Sequence, residues 1–549
     1  MLSCRFVRRT YEWHRLAYPI ARNIWHAKQS REASSLTASF KKTGKAALGT
    51  SAVTHITTLS NGIRVATENT LGHFSAVGVF VDAGSRYETP RTLGVSHILD
   101  RMAFKSTKNR TSAQLQNELE ALCGNVMSTT GPESMIYQAA IFPKRLPKIM
   151  EFFADVIINP LILPEELEEQ QQTALYEINE IWQKPDMILP ELTHTVAYNN
   201  NTLGFLMICS EERLSAMKPT IIREYLERWY RPERIVIAGA GIEHEETVKL
   251  AEKYFGAMHK SVGPTHRTVG DSLLETIAGV KPAGKPSLYK TITTAATSIL
   301  QSDSSSSSLS PAHEKAHYTG GTLLLDEPTL PFTHMYVAFE GLSVHDPDIY
   351  ILAALQTLLG GGGSFSAGGP GKGLHTRLFK RVLSQYQWVE SCLCFNHCYT
   401  DSGLFGIMMS YRPEYNYLAP TVIAEQFNAV ASLGNGCVTE DDLMRAKNQL
   451  KSNLLMSFES RMVQLEDIGR QVQVNGYRIP VEEMCEKIDQ INLEDLVRVA
   501  QRVFRGNVYN EGNGTGAITI VAQGMLTGLP NVEKLFEASG LGRSRSRFI

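Results

Sequence analysis

The chain has 549 residues, of which 43% are hydrophobic and 20% are charged. This composition is typical of globular proteins with more than one core and excludes collagen-like, coiled-coil and wholly disordered chains. The 54 basic residues nearly balance the 56 acidic ones, so the net charge of −2 argues against nucleic-acid binding through bulk electrostatics. Eight cysteines are too few for a disulfide scaffold, which indicates a reducing compartment. No apolar run approaches the roughly 18–20 residues of a membrane-spanning helix.

The start of the chain differs in charge from the rest. Residues 1–49 contain ten Lys and Arg but only two acids, Glu12 and Glu32, and apolar side chains are interleaved with the arginines. Such an Arg- and Ser-rich sequence with few acids predicts a mitochondrial transit peptide over residues 1–50. The alternative is a basic tail without a targeting role. Removing the counted segment leaves 44 basic against 54 acidic residues, a net charge of about −10 that suits a cationic partner.

A serine-rich stretch divides the remaining chain into two blocks. Residues 291–311 include five consecutive serines, Ser304–Ser308, and a Gly/Pro/Lys-rich stretch precedes them. Such a stretch cannot bury enough apolar surface to order itself. We therefore predict a flexible linker over 259–316, between a first domain at 53–258 and a second domain at 317–549.

The two blocks repeat each other. Three short segments of the first block match three of the second in the same order: Val77–Ser85 with Met335–Ser343, Leu163–Leu167 with Thr439–Leu443, and Ile235–Gly241 with Ile518–Gly524. Chance explains any one of these matches, but their common order indicates a duplication. The alternation of strands and helices predicts an α+β fold made of two homologous α/β sandwich domains.

One predicted helix of the first block carries polar residues that could form a catalytic motif. His97, Asp100 and Arg101 share a helix face because residues three and four apart are neighbours. Their spacing resembles the inverted zinc-peptidase motif H-x-x-E-H, in which two imidazoles bind the metal and the Glu activates water. A second predicted helix, Pro164–Ile181, contains Glu177. Without this context, a surface or interface cluster is the simpler interpretation.

The second block contains a glycine-rich segment after a predicted apolar helix, Ile349–Leu359. Eight of its fourteen residues are glycine, which permits close approach of the backbone to a ligand. A phosphate-binding loop is excluded because Lys372 precedes Gly rather than Ser or Thr, and because a helix rather than a strand comes first. A flexible linker is the alternative, but a helix is also predicted from near Leu374, so the segment lies within a domain.

The His97–Arg101 motif, the position of Glu177, the repeat and the glycine segment together resemble the pitrilysin-type metallopeptidases. The similarity extends from about residue 55 to the C-terminus and is greatest to the non-catalytic subunits of heterodimeric members. It implies that His97 and Glu177 stand at ligand positions, that Asp100 replaces the catalytic Glu, and that Arg101 replaces the second His. Arg offers no lone pair, Asp is one methylene shorter than Glu, and two ligands are too few for zinc. We therefore expect no catalytic residue and no metal or other cofactor on this chain.

The resemblance also implies a function and a partner. The chain would be a substrate-recognising subunit in the mitochondrial matrix, and a beta-type catalytic partner would carry the zinc and complete a heterodimer. The glycine segment would bind cationic presequence peptides. Its residues are Gly360, Gly361, Gly362, Gly363, Ser364, Phe365, Ser366, Ala367, Gly368, Gly369, Pro370, Gly371, Lys372 and Gly373.

Two alternatives share the predicted fold. One is a core subunit of the respiratory cytochrome reductase complex, and a peripheral association with inner-membrane complexes stays open. The other is a self-sufficient zinc peptidase.

A Cys/His cluster in the second block offers a competing metal site. Cys392, Cys394 and Cys398 would alternate on one face of a strand, whereas His397 would lie on the other face. One ion cannot easily reach both faces, so we expect ordinary packing of thiols.

Overall fold

The computed structural model describes residues 53–122, 124–199, 201–259, 314–364, 374–434 and 436–543. The predicted transit peptide, nearly all of the predicted linker, and residues 365–373 of the glycine segment lie outside the described residues. Within the described ranges, no helix combines the length and apolar character needed to cross a membrane.

Six strands of the first half form a mixed sheet in the order β1-β2-β6-β3-β5-β4. Strands β2 and β6 are parallel, and the other neighbouring pairs are antiparallel. The strands are β1 (His55–Thr58), β2 (Arg64–Glu68), β3 (Ser75–Val81), β4 (Asn125–Thr130), β5 (Met135–Ile141) and β6 (Ile235–Ala240).

The second half forms another six-stranded sheet, in the order β7-β12-β8-β11-β10-β9. Here β7 and β12 are the parallel pair, and the other neighbours are antiparallel. The strands are β7 (Gly321–Asp326), β8 (Thr333–Glu340), β9 (Gly361–Gly363), β10 (Val389–Cys398), β11 (Gly403–Tyr411) and β12 (Thr519–Gly524).

Helices connect the strands in both halves. The first half contains α1 (Val95–Met102), α2 (Ser112–Ala121), α3 (Leu146–Ile158), α4 (Pro164–Trp182), α5 (Pro185–Ala197), α6 (Glu211–Ala216), α7 (Pro219–Trp229) and α8 (His244–Phe255). The second half contains α9 (Ile349–Leu359), α10 (Ala419–Val430), α11 (Glu440–Ser457), α12 (Arg461–Asn475), α13 (Val481–Asp489), α14 (Leu493–Phe504) and α15 (Val532–Ala538). Near the helix predicted from Leu374, the structure has a short π-helical turn at Phe379–Leu383.

The strand orders confirm the duplication. The five-strand order β2-β6-β3-β5-β4 of the first sheet corresponds to β7-β12-β8-β11-β10 of the second, with the parallel pair in the same place. The matched segments coincide with β3 and β8, with the starts of α4 and α11, and with β6 and β12. The fold is therefore α+β with two homologous halves, as predicted.

Each half also contributes one helix that packs on the sheet of the other half. Strand β3 is buried at every position, because helices of its own half cover one face of the sheet and α12 of the second half covers the other. In return, α5 of the first half packs on the second sheet, against residues of β8 and β12. The described residues accordingly belong to one compact unit, Ala52–Ile549.

Candidate functional site

Helix α1 is held at its N-terminus by a buried carboxylate. Glu88 accepts hydrogen bonds from the backbone N–H groups of Gly94 and Ser96, both at 2.7 Å. Gly94 adopts a left-handed conformation (φ 82°), and a β-carbon there would overlap the Cys209 side chain. Burial raises the pKa of Glu88 to about 7, although the bonds to Ser96 and Gly94 oppose this. Sequence reasoning missed Glu88, because it lies six residues before the helix cap and outside any local capping pattern.

The ring of His97 is oriented so that the nitrogen facing Glu177 has no free lone pair for a metal ion. Its Nδ1 atom accepts a hydrogen bond from the backbone N–H of Cys209 at 3.3 Å. The neutral ring therefore carries its proton on Nε2, which lies 3.9 Å from Glu177 Oε2. Burial, followed by repulsion from Arg101, lowers the pKa of His97 to about 4, so the ring is neutral near pH 7.

Arg101 forms an ion pair with Glu177 across α1 and α4. Burial raises the pKa of Glu177, and the charge of Arg101 opposes that rise. Asp100 accepts a hydrogen bond from Ser128 Oγ at 2.8 Å, and burial raises the pKa of Asp100. The four predicted site residues thus lie together, and an ion pair between Arg101 and Glu177 joins the two helices that carry them.

This donor set does not fit a zinc ion. A catalytic zinc site uses three protein ligands and an open position for water. Here the nitrogen of His97 that faces Glu177 is protonated, Glu177 is paired with a permanent cation, and Asp100 is bonded to Ser128. In the part of the chain that the structure describes, no group of three or more His, Cys, Asp or Glu side chains is placed to hold a metal ion.

The described part of the glycine segment is an edge strand rather than a free loop. Gly361, Gly362 and Gly363 form β9 and pair with Leu393, Cys392 and Ser391 of β10. Gly361 has φ 110°, and a β-carbon there would overlap the carbonyl oxygen of Cys392, so this register requires glycine.

Further hydrogen bonds hold the base of the segment. The N–H of Gly361 donates to Thr376 Oγ1 at 3.2 Å, and the N–H of Ser364 donates to the carbonyl of Glu390 at 2.7 Å. Residues Phe365–Gly373 lie outside the described residues. Over the described ranges, no hydrogen bond or ion pair joins Gly360–Ser364 to the group around His97.

The cysteines of β10 pack as ordinary strand residues. Cys392 and Cys394 are free thiols in the second core, and burial raises both of their pKa values. The Cys398 thiol contacts Asn396 Oδ1 at 3.4 Å. Cys392 and Cys394 thus lie among the apolar side chains of the second core, where ordinary packing of thiols was expected.

Comparisons with known proteins match both halves of the chain. A family model described as insulinase (peptidase family M16) matches residues 64–211, and one described as peptidase M16 inactive domain matches residues 217–450. The chain is 47% identical over 498 residues to the mitochondrial-processing peptidase subunit alpha of Neurospora crassa, covering 85% of this chain and 86% of the relative. The human subunit alpha is 32% identical over 486 residues, covering 88% of this chain and 84% of the relative. A probable subunit alpha from Schizosaccharomyces pombe is 42% identical over 493 residues, covering 88% of each chain.

Proposed function

The chain belongs to peptidase family M16, with relatives named as alpha subunits of the mitochondrial-processing peptidase, and we propose that it binds presequences of imported precursors without cleaving them. It acts in the mitochondrial matrix as one subunit of a heterodimer. The beta-type partner supplies the zinc ion, its ligands and the general base. Residues 1–50 are removed as a transit peptide, and the mature chain consists of domains 53–258 and 317–549 joined by a linker at 259–316.

The ion pair between Arg101 and Glu177 is the observation that carries this proposal. Peptide hydrolysis by a metallopeptidase needs a bound metal and a carboxylate free to take a proton from water. At the α1–α4 site, the carboxylate nearest His97 is neutralised by a guanidinium that can neither bind metal nor lose its charge. What these residues retain is a fixed arrangement of two helices, so hydrolysis is left to the partner.

Charge and backbone exposure support the binding role. Without its first 49 residues the chain carries about ten net negative charges by sequence count, which favours cationic peptides such as Arg-containing presequences. At Gly362 and Gly363, a β-carbon would meet no atom of any described residue within 4 Å, so none of the described residues covers this part of β9. Main-chain groups on a sheet edge can hydrogen-bond an extended peptide with little dependence on its sequence.

A processing assay tests the proposal. The chain lacking residues 1–50, the beta-type subunit of the same organism, and their mixture are each incubated with an Arg-containing precursor. We expect cleavage by the mixture, inhibition of that cleavage by a chelator, and no cleavage by this chain alone. Chelator-sensitive cleavage by the isolated chain would establish the self-sufficient peptidase. Co-purification with respiratory membrane subunits instead of a beta-type peptidase would favour the cytochrome reductase alternative.

A deletion tests the role of the glycine segment separately. Removing residues 365–373 keeps β9 and its bond to Thr376, and we expect presequence affinity to fall by at least about tenfold while the heterodimer still forms. Deleting the serine run Ser304–Ser308 is the matched control, because it also shortens a segment of small residues. Unchanged affinity after the first deletion, measured by fluorescence anisotropy of a labelled presequence, would refute the role of residues 365–373.

A further inference from the structure

A small cavity lies between the end of α9, the segment that follows the glycine-rich stretch, and the start of α11. Its volume is about 180 Å³. Cavities for drug-sized ligands measure about 300–1,000 Å³, so this one suits a compact group. Its lining includes Arg377, Lys380, Arg381, Cys437, Asp442 and Arg445.

The charge around this cavity is strongly positive. Asp442 is the carboxylate among its lining residues, and it pairs with Arg445 at 2.5 Å. Arg377 instead donates to neutral acceptors, Gln426 Oε1 at 3.2 Å and the carbonyl of Gly436 at 3.1 Å. Lys380 and Arg381 are exposed, and neither forms an ion pair with any other residue that the structure describes. Among the described residues, Arg377, Lys380 and Arg381 therefore form no ion pair with a carboxylate, and Asp442 attracts Arg377 only at longer range.

Arg377 is held in place before any ligand arrives, and the backbone turn that carries Lys380 and Arg381 is anchored in the core. The two hydrogen bonds of Arg377 fix its guanidinium against α10 and the turn before α11. Lys380 and Arg381 lie on the π-helical turn Phe379–Leu383, whose Val382 and Leu383 are buried in the second core. Preorganised charges bind an anion with a smaller loss of side-chain entropy than mobile ones.

The N-terminus of α11 does not itself account for an anion site. Thr439 and Asp442 form a capping box that already occupies their own two backbone N–H donors, and the first turn carries three acids. The attraction for an anion must therefore come from Arg377, Lys380 and Arg381. Their N–H groups can donate charge-assisted hydrogen bonds to the oxygen atoms of an anion.

We propose that this cavity binds a phosphoryl group, carried either by a free phosphate compound or by an anionic lipid headgroup. The cavity has the size for such a group, and its basic residues match the charge and the several acceptor oxygens of a phosphate. Cationic presequences would be repelled from it. The site is therefore distinct from the proposed peptide function, and it can be tested without any processing assay.

Cys437 provides a local probe of occupancy. It is a free, half-buried cysteine that lines the cavity, whereas Cys485 is a free, half-buried cysteine on α13 that does not. The mature chain is treated with iodoacetamide in inorganic phosphate or in chloride of equal ionic strength, and alkylation is followed by peptide mass spectrometry. We expect phosphate to slow alkylation of Cys437 by at least about threefold and to leave Cys485 unchanged. Equal rates at Cys437 in the two salts, or equal slowing at both cysteines, would overturn the free-phosphate form of the proposal.

A pair of matched variants tests the basic residues. Replacing Lys380 and Arg381 by Ala should raise the phosphate concentration that protects Cys437 half-maximally by about tenfold. Replacing Lys144 and Arg145 by Ala is the control, because they are also an adjacent, exposed Lys–Arg pair in a short helical turn but lie away from the cavity. If both variants lost protection of Cys437 equally, the effect of phosphate would depend on the overall charge of the protein, and a specific site at the cavity would be contradicted.

Vesicles distinguish the two sources of the phosphoryl group. Cosedimentation with phosphatidylcholine vesicles that contain cardiolipin, but not with phosphatidylcholine alone, would assign a lipid headgroup, provided that replacing Lys380 and Arg381 abolishes it. Protection by phosphate without cosedimentation would assign a free phosphate compound. If neither protection by phosphate nor cosedimentation with cardiolipin vesicles depends on Lys380 and Arg381, the proposal is wrong. It is also wrong if Cys437 is protected only by an acidic peptide.

Discussion

Helices α5 and α12 follow equivalent long helices in the two halves, and each packs on the sheet of the other half. On α5, Ile188, Leu189 and Leu192 contact residues of the second sheet such as Tyr336 and Val521. On α12, a similar apolar stripe of Leu465, Ile468 and Val472 packs against the first sheet. The apolar part of the exchange is therefore nearly symmetric.

The polar contacts of the two helices are different. Beside α12, Arg478 pairs with Asp467 at 2.7 Å and with buried Glu68 of the first half, which also accepts a bond from Gln464. Beside α5, a carboxylate–imidazole contact across the halves is weak, because Asp186 is 74% exposed and lies 3.8 Å from His334, whose pKa is lowered by burial. Other contacts of α5 across the halves are neutral, such as the 2.8 Å bond between His194 Nε2 and Tyr399 OH. The comparison indicates that charge fixes α12 on the first sheet, whereas burial and neutral bonds fix α5 on the second.

Replacing Arg478 by Met should have the largest effect on stability, because it leaves Glu68 and Asp467 without their buried cation. Breaking a buried ion pair by removing one partner costs about 3–5 kcal/mol. The control is Arg470→Met, which removes an exposed pair with Glu466 on the same helix and should cost less than about 1 kcal/mol. Urea denaturation measures both. Equal losses in the two variants would show that charge does not hold α12 in place.

Truncating the apolar stripes should affect the two helices equally. Leu192→Ala on α5 and Ile468→Ala on α12 each remove a fully buried side chain, which costs about 2–5 kcal/mol. Leu455→Ala, at a position 50% exposed on α11, should change stability by less than about 0.5 kcal/mol. A loss at Ile468 far below that at Leu192 would break the symmetry and leave α12 dependent on its charges.

The sequence predicted the elements better than their partners. The repeat located β3, β8, β6 and β12, and helical spacing placed His97, Asp100 and Arg101 on one face, because local periodicity reports which residues share a face. Only the family resemblance connected Glu177 to them, and the structure brings it against Arg101. The exchange of α5 and α12 was not predicted. An amphipathic stripe shows that a helix is buried but does not identify the sheet that buries it.

Strand β9 was missed for another reason. Three glycines have low strand propensity, so residues 361–363 suggest a loop. They form a strand because their lack of β-carbons lets the chain approach β10 closely at Gly361. The tautomer of His97 was equally hidden, since it depends on a backbone N–H from Cys209, 112 residues further along the chain.

A glycine in α12 tests how closely this helix approaches the first sheet. Gly469 lies in the helix interior, where Gly→Ala normally stabilises by about 1 kcal/mol, but a β-carbon there would overlap the ring of buried Phe80. We expect Gly469→Ala to cost about 1–3 kcal/mol through overpacking, measured by thermal denaturation. Adding Phe80→Leu should recover part of the loss, so the double variant is less destabilised than the sum of the two. Simple additivity would show that α12 does not approach the sheet as closely as described.

The smallest expected effect concerns a carboxyl on α5 and depends on pH. Glu191 is half-buried and accepts a hydrogen bond from the N–H of Met207 at 3.1 Å, and burial raises its pKa to about 7. Between the ordinary pKa of about 4.3 and about 7, the folded state holds a proton that the unfolded state releases, so this group makes stability fall as pH rises. Glu191→Gln keeps the acceptor without the charge. It should therefore match the parent near pH 4 and become more stable by about 1 kcal/mol above pH 7, which is less than the full pKa change implies because solvent screens a half-buried carboxylate.

Glu180→Gln is the control for that pH dependence, because Glu180 lies on the exposed end of α4 and pairs with Lys184 at 2.9 Å. Denaturation midpoints across the pH range should diverge from the parent for Glu191→Gln and stay close to it for Glu180→Gln. A gain for Glu191→Gln that is the same at pH 4 and pH 8 would mean that its charge plays no part. In that case the neutral contacts beside α5 would account for all of its docking, and the contrast with α12 would be sharper still.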